Sequence, residues 1–256
     1  MARMFGTSHQ ARYWLSTDSC GLCCAFFTVF LILYSLWVMT NQILMSNLDI
    51  ATMHVIIFNT FGFLALASHM TAMFTNPGAV PRIAEPLPGD AQRLKEALAQ
   101  NSTQRKRTKG WCHRCVAYKP PRAHHDSVTG RCIVKLDHFC PWTNNAIGVR
   151  NHKSFLLFIF YTFLMCSYAL ALLFRLAYLS MQTPDESNVP QVKKLRGRRS
   201  SDLVVVTPLP IIEANASFLL EETRPQIEIG FNCVIVGVFA ILFGLFTSCM
   251  LCDQWS

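Results

Sequence analysis

Charged residues are scarce in this sequence. Only 15% of its 256 residues are Asp, Glu, Lys or Arg, whereas soluble domains average about 25%. Four stretches contain no residue of these types: 19–48, 50–81, 154–174 and 229–252. Each is long enough to cross a hydrocarbon core of about 30 Å as a helix. Because a chain of this size cannot bury four such helices on all sides, the composition excludes an ordinary soluble domain and predicts a multi-pass membrane protein.

Two other function classes lack support as well. No charged residue lies in the middle of a predicted span, whereas the pathway of a channel or transporter usually contains one. The net charge is +8, but neither a recognisable nucleic-acid fold nor interleaved stacking aromatics accompany it. We therefore expect the lipid bilayer as a partner, and no nucleic acid.

The positive charge is concentrated in one segment. Fourteen of the 23 Lys and Arg residues lie between Arg82 and Lys153, and basic loops stay on the cytoplasmic side of a membrane. The predicted organisation, in chain order, is a cytoplasmic N-terminus (1–20), spans 1 and 2 (21–74), a cytoplasmic linker (75–110), a Cys-rich module (111–153), span 3 (154–179), a lumenal loop (180–228) and span 4 (229–252).

Two loops carry weaker signals. The linker contains a predicted short helix over 91–99 and a basic run at 105–107. In the lumenal loop, the basic run 193–199 disagrees with a lumenal location, although long loops follow the charge rule weakly. The glycosylation sequon that begins at Asn215 agrees with that location.

Eleven cysteines are present, and seven lie in or beside predicted spans. For Cys20, Cys23 and Cys24, apolar packing and acylation both remain open. The other four lie in the module: Cys112, Cys115, Cys132 and Cys140. Disulfides do not persist on a reducing face, so ligation or catalysis is the better interpretation.

Cys112 and Cys115 have the C-x2-C spacing that presents two thiolates to one tetrahedral ion. His125 and Cys132 complete a Cys3His set, with His113, His124 and His138 as rival nitrogen ligands. The alternative is a redox pair, but no βαβ pattern surrounds it. A module of about forty mostly polar residues cannot bury its own core, and a structural zinc ion supplies the missing stability.

Cys140 is the thiol left over once that site is filled. His138, two residues earlier, is placed to accept the thiol proton, and Asp137 to orient the imidazole. Three nearby cations, Arg122, Arg131 and Lys135, predict a lowered pKa for the Cys140 thiol. A second structural metal ligand is the alternative, but too few Cys and His residues remain to complete such a site.

From Trp111 to Phe155 the chain resembles the zinc-finger DHHC-type protein S-acyltransferases (palmitoyltransferases). The matching stretches are 112–115 (CHRC), 119–125 (KPPRAHH), 136–142 (LDHFCPW), Asn144, Asn145, Asn151 and Phe155. The end of the second apolar stretch and Asn76-Pro77-Gly78 are similar to the family's second span and Asp-Pro-Gly motif. The resemblance implies an all-α integral membrane fold, with four transmembrane helices and a cytoplasmic zinc-stabilised Cys-rich module between spans 2 and 3.

The family pattern also implies two zinc sites. The first maps onto Cys112, Cys115, His125 and Cys132. The second needs Cys at 126, Cys at 129, His at 139 and Cys at 146, where this chain has Asp126, Thr129, Phe139 and Ala146. Because all four ligands are absent together, we expect one zinc ion per chain and apolar packing of Phe139 and Ala146 in place of the second.

The implied activity is transfer of a fatty acyl chain from palmitoyl-CoA, or another long-chain acyl-CoA, to cysteines of membrane-associated proteins. The residues that map onto the family's catalytic positions are Asp137, His138 and Cys140. The candidates for the CoA phosphates are Lys119, Arg122 and His124, with lipid headgroups as an alternative ligand. An acyl chain is expected in a cavity among the four spans.

The runner-up function is a catalytically silent relative that acts as a membrane binding or scaffold protein. It is motivated by the lost zinc ligands and by a Thr-Thr-x-Glu motif that would fall beyond Ser256. The expected location is an endomembrane (Golgi or endoplasmic reticulum) or the plasma membrane, with the module facing the cytoplasm.

Overall fold

Four long apolar helices dominate the computed structural model, which describes residues 5–11, 13–45, 51–99, 110–182 and 216–255. They are α1 (Ser19–Met45), α2 (Ala51–Phe74), α4 (His152–Gln182) and α5 (Ala216–Trp255). Each contains a segment long and apolar enough to cross a membrane, with a mean hydropathy between 1.5 and 2.5. The predicted fold class is therefore confirmed. The basic runs 105–107 and 193–199 and the sequon Asn215 lie outside the described residues.

The spans are helical because lipid offers no hydrogen-bond partner, so a spanning segment must satisfy its backbone internally. Threonine hydroxyls in the spans also find their partners within the same helix. Thr28 and Thr162 donate to backbone carbonyls four residues earlier. Helix α2 packs closely on α1, since Gly62 faces the side chain of Leu36 and leaves no room there for a Cβ.

A short helix, α3 (Pro88–Ala99), lies in the linker where a helix was expected. The module that follows contains no long element. It consists of two- to four-residue strands paired as hairpins: β3 (Trp111–Cys112) with β4 (Ala117–Tyr118), β5 (Ala123–Asp126) with β6 (Arg131–Val134), and β7 (Phe139–Cys140) with β8 (Asn145–Ala146). A one-turn 3-10 helix, Pro141–Thr143, connects the last two.

An N-terminal segment also joins this end of the fold. Strands β1 (Phe5–Gly6) and β2 (Tyr13–Trp14) pair in parallel just before α1. The side chain of Trp14 is completely buried, among residues of the Cys-rich module.

Asparagine side chains fasten the module to one end of the helices. Asn145 Nδ2 donates to the carbonyls of Ala72, Met73 and Thr75, which are among the last residues of α2 and its C-terminal flank. A helix leaves its final carbonyls without internal partners, so these bonds satisfy groups that burial would otherwise penalise. Asn144 Nδ2 donates to Ser16 O, just before α1.

Asn76 stands where the family has aspartate, and it makes an Asx turn. Its Oδ1 accepts from the backbone amides of Gly78 (2.9 Å) and Ala79 (2.8 Å). An amide oxygen and a carboxylate oxygen serve equally as acceptors here. This departure therefore leaves the turn after α2 intact.

Candidate active site

Asp137, His138 and Cys140 lie within four residues of chain, where the module touches the helices. Nδ1 of His138 lies 3.1 Å from Oδ2 of Asp137. The backbone of the pair is held by Ile147, which accepts from the Asp137 amide (2.9 Å) and donates to the His138 carbonyl (2.7 Å). The imidazole stands edge-on to Phe155 of α4, with 5.3 Å between ring centroids. The structure thus pairs Asp137 with His138, and it places His138 and Cys140 in the lining of one cavity.

An apolar cavity of about 230 Å³ opens beside this group, and both His138 and Cys140 line it. Its walls come from α1, α4 and α5. Along α4 the lining runs from Phe155 to Ala169, which is about 21 Å at the helical rise of 1.5 Å per residue. Cys166 is a second thiol in this wall and is buried. In the described part of the chain the lining residues come from three of the four spans, whereas the prediction was that all four contribute.

Burial raises the pKa of the Cys140 thiol above its ordinary value, while hydrogen bonds with Thr143 and Trp142 oppose this shift. The sequence-based expectation of a lowered pKa is therefore wrong. It assumed that nearby cations face the thiol, but Arg131 is buried against the Val80 carbonyl, and Arg122 and Lys135 line a different cavity. The apolar surroundings of Cys140 favour the neutral thiol.

Four predicted metal ligands converge in the module: Cys112, Cys115, His125 and Cys132. Their ligand atoms all lie within 4.8 Å of one another. We call this group the metal lobe. The β5–β6 register pairs His125 directly with Cys132, and the β3–β4 turn brings the two other thiols to them.

The donor set fits a tetrahedral ion. Nδ1 of His125 lies 3.2 Å from Cys115 Sγ and 3.6 Å from Cys112 Sγ, and the sulfurs of Cys115 and Cys132 are 3.8 Å apart. Zinc–sulfur bonds of about 2.3 Å in a tetrahedron separate two sulfurs by about 3.8 Å. Burial and the neighbouring Arg114 lower the pKa of His125, which keeps its imidazole neutral and able to ligate. The rival histidines 113, 124 and 138 are not part of this cluster.

The positions implied for a second zinc site hold a different arrangement. Asp126 Oδ2 accepts from the amide and the hydroxyl of Thr129 at 2.7 and 2.6 Å, and both residues are buried. Phe139 is paired with Ala146 across β7 and β8. Both belong to an apolar cluster with Trp14, Ala79 and Ile133. We call this set the packed lobe: Asp126, Thr129, Phe139, Ala146, Trp14, Ala79 and Ile133.

Apolar contact at Phe139 and Ala146 was expected, but two of its supports were missed. The Asp-x-x-Thr spacing is a local signal, because aspartate commonly accepts from the backbone a few residues later. Trp14 carried no such signal, since its cluster partners Ala79, Ile133 and Ala146 are far away in sequence.

A second cavity, of about 520 Å³, lies on the Asp137 side of the Asp137–His138 pair and is polar. Its lining includes two predicted phosphate ligands, Arg122 and His124, but not Lys119. Lys135 and His152 are further basic groups of this lining, and sequence reasoning did not name them as phosphate ligands. Arg122 (φ 63°) and Lys135 (φ 50°) have left-handed backbones, a strain of about 1 kcal/mol or more for each residue that often accompanies functional sites.

Comparisons with known proteins agree with this geometry. The model of the family described as DHHC palmitoyltransferase matches residues 105–256. Palmitoyltransferase ZDHHC3 of Rattus norvegicus is 43% identical over 159 residues, which cover 61% of this chain and 50% of that protein.

Two further relatives are similar over comparable stretches. Palmitoyltransferase ZDHHC7 of Mus musculus is 38% identical over 168 residues (65% of this chain, 52% of the relative). Probable protein S-acyltransferase 12 of Arabidopsis thaliana is 41% identical over 115 residues (45% and 39%). The chain spans about half the length of the ZDHHC relatives. Because the family model covers more than half of the chain, the protein belongs to the DHHC palmitoyltransferase family.

Proposed function

We propose that this protein is a protein S-acyltransferase that carries a fatty acyl group as a thioester on Cys140. One observation carries the proposal: Cys140 and His138 lie together at the wall of an apolar cavity formed by three of the candidate spans. The names of the relatives, palmitoyltransferases and a probable S-acyltransferase, support the same activity.

In the first step, His138 accepts the Cys140 proton as the sulfur attacks the thioester carbonyl of an acyl-CoA. The raised pKa of Cys140 makes this base necessary, because little thiolate exists at neutral pH. The carbon–sulfur bond to CoA breaks, and the CoA thiolate takes a proton from the His138 imidazolium. In the second step, a cysteine thiol of a protein substrate loses its proton to His138 and attacks acyl-Cys140, which releases the Cys140 thiol.

The two cavities suit the two halves of the donor. The apolar cavity matches a long acyl chain, since leaving such a chain in water costs about 0.8 kcal/mol per CH2. The polar cavity has basic groups that suit CoA phosphates: Arg122, His124, Lys135 and His152. Lys119 lies outside this lining, so headgroups of the bilayer are the better ligand for it.

Zinc is the proposed metal of Cys112, Cys115, His125 and Cys132. When bound, it cross-links a module whose strands are too short to form a core. Four protein ligands leave no open position for chemistry, so its role is structural. In the proposed mechanism His138 accepts and returns the protons, and Asp137 orients its imidazole.

The proposed organisation is the one predicted from the sequence, with the 111–153 module on the cytoplasmic side. Membrane-associated proteins with cytoplasmic cysteines are the proposed substrates, because the acyl chain and the acceptor thiol must meet near the bilayer surface. An endomembrane or the plasma membrane is the proposed location.

Autoacylation tests the proposal. Purified chain in detergent is incubated with labelled palmitoyl-CoA, and the native chain is compared with Cys140→Ser. We expect a hydroxylamine-sensitive label on the native chain and none on the variant. Cys249→Ala is the matched control, since this exposed thiol lies outside the cavity lining, and it should label like the native chain.

Two outcomes contradict the proposal. Label that survives in Cys140→Ser indicates passive acylation elsewhere, with exposed Cys20 and Cys23 and the half-buried Cys24 examined first. A folded, zinc-loaded native chain that takes no label favours the silent relative.

A further inference from the structure

Gln254, near the end of α5, contacts the catalytic pair from across the fold. Its Nε2 lies 3.3 Å from Oδ2 of Asp137, the same oxygen that faces Nδ1 of His138 at 3.1 Å. Its Oε1 lies 2.9 Å from Nε2 of His152, the first residue of α4. A continuous chain of hydrogen bonds therefore joins the ends of two spans to the proposed base.

Only one arrangement of protons satisfies this chain. An ionised carboxylate only accepts, so both Gln254 Nε2 and His138 Nδ1 must donate to Asp137. The amide oxygen of Gln254 then faces His152, whose Nε2 must carry a proton. With its proton on Nδ1, a neutral His138 keeps Nε2 unprotonated, which is the form that can accept a proton from Cys140.

The pair needs outside support. The side chains of Asp137 and His138 are 38% and 35% exposed. An ion pair this exposed to water contributes little to stability and does not hold its own geometry. Ile147 fixes the backbone of the two residues but leaves the carboxylate free to rotate. Within the described part of the chain, His138 and Gln254 are the hydrogen-bond partners of that carboxylate.

We infer that Gln254 is a positioning residue for acyl transfer, with His152 orienting its amide. The inference rests on the proposed acyltransferase function. Gln254 holds the Asp137 carboxylate toward His138, which holds the imidazole in the base-competent tautomer. It follows that loss of Gln254 slows the chemical step and leaves acyl-CoA binding unchanged.

Kinetics of autoacylation provide the first test. In Gln254→Met, which keeps the length but not the hydrogen bonds, we expect kcat, here the maximal rate constant for acylation of Cys140, to be about tenfold lower, since oriented general bases contribute 10²–10⁴-fold in all. KM for palmitoyl-CoA should not change. Gln254→Glu, which keeps the shape and cannot donate when ionised, should show the same loss. Cys252→Ala is the control for a change at an exposed position of the same helix end.

A double variant separates this role from a merely structural one. Residues that act through one another are not additive, so Gln254→Met should slow Asp137→Asn no further. Independent losses in the double variant, or a rise in KM with kcat unchanged, would overturn the inference. The second of these results would instead assign Gln254, which also lines the polar cavity, to acyl-CoA binding alone.

Histidine NMR tests the positioning role of Gln254 even if the protein shows no acyltransferase activity. With ¹⁵N-histidine, and His138→Gln to identify the signal, we expect the Nδ1-protonated tautomer in the native chain and a mixture in Gln254→Met. The same tautomer in both overturns the positioning role. If Gln254→Met changes the tautomer but Cys140 of the native chain takes no acyl label, the positioning role stands and the proposed acyltransferase activity is rejected.

Discussion

The metal lobe and the packed lobe solve one problem in two ways. Both lie on the β5–β6 hairpin, and neighbouring residues of a strand point to opposite faces. His125 and Cys132 belong to the metal lobe, while their neighbours Asp126 and Ile133 belong to the packed lobe. One hairpin thus separates a cluster of metal donors from a cluster held by hydrogen bonds and apolar contacts.

The difference shows what can replace a metal cross-link. A metal ion ties loops together through a few strong bonds, whereas the packed lobe needs a buried carboxylate, an aromatic ring and a segment from outside the module. Trp14 provides that segment, which makes the N-terminus part of the module's core. Cys140 lies on β7 next to Phe139, so the packed lobe is the one that directly supports the proposed nucleophile.

The largest effect is expected from breaking the metal lobe. Cys132→Ser removes one of four donors, and structural zinc in small domains contributes about 10–16 kcal/mol of binding energy to folding. We expect loss of bound metal and rapid proteolysis between 110 and 151. Cys140→Ser, which changes a cysteine outside the metal lobe, should keep both its bound metal and its protease resistance. Equal protease resistance in Cys132→Ser would contradict a structural role for the metal.

The next largest effect concerns the aromatic anchor of the packed lobe. Replacing a fully buried tryptophan by alanine typically costs about 3–5 kcal/mol, so Trp14→Ala should lower the thermal midpoint of the protein in detergent while its metal content stays the same. Val128→Ala, at an exposed position of the β5–β6 hairpin, should have little effect. An unchanged midpoint for Trp14→Ala would show that Trp14 does not support the module.

A smaller effect is expected at the buried carboxylate. Asp126→Ala leaves the amide and hydroxyl of Thr129 without their partner, at about 1–3 kcal/mol for a buried unsatisfied group. Adding Thr129→Val should recover part of this loss, because one of the orphaned donors is removed. A double variant less stable than Asp126→Ala would contradict the assignment of this contact.

The smallest effect is a shift in reactivity. Because burial raises the pKa of Cys140, its alkylation by iodoacetamide should rise with pH and reach half its maximum above about pH 8.5, the ordinary value for a thiol. The peptide that contains Cys140 is followed by mass spectrometry over a pH series. A midpoint below pH 8 would contradict the raised pKa of Cys140 and support the lowered pKa that the sequence predicted.

Local patterns predicted the parts of the molecule that local physics decides. The absence of charge located the four helices, and the C-x2-C spacing with Cys132 located the metal lobe. Asp137, His138 and Cys140 remain predicted catalytic residues; their closeness was predictable because they lie within four residues of chain. Spacing alone left His125 and its rivals open; the family pattern selected His125, and the strand register explains the choice by placing it opposite Cys132.

Contacts between distant segments were not predictable. Gln254 lies 117 residues from Asp137 along the chain, and nothing in its local sequence indicates that contact. The direction of the Cys140 pKa shift was wrong for a related reason. Sequence proximity identified Arg122, Arg131 and Lys135 as neighbours, but only the fold shows that they point away from the apolar cavity.

Zinc stoichiometry of the purified native chain tests the account most directly, measured by elemental analysis on a preparation that also autoacylates Cys140. The account predicts one zinc per chain, lost in Cys132→Ser and retained in Asp126→Ala. Two zinc ions per chain would contradict the packed lobe, and none in an active preparation would contradict the metal lobe.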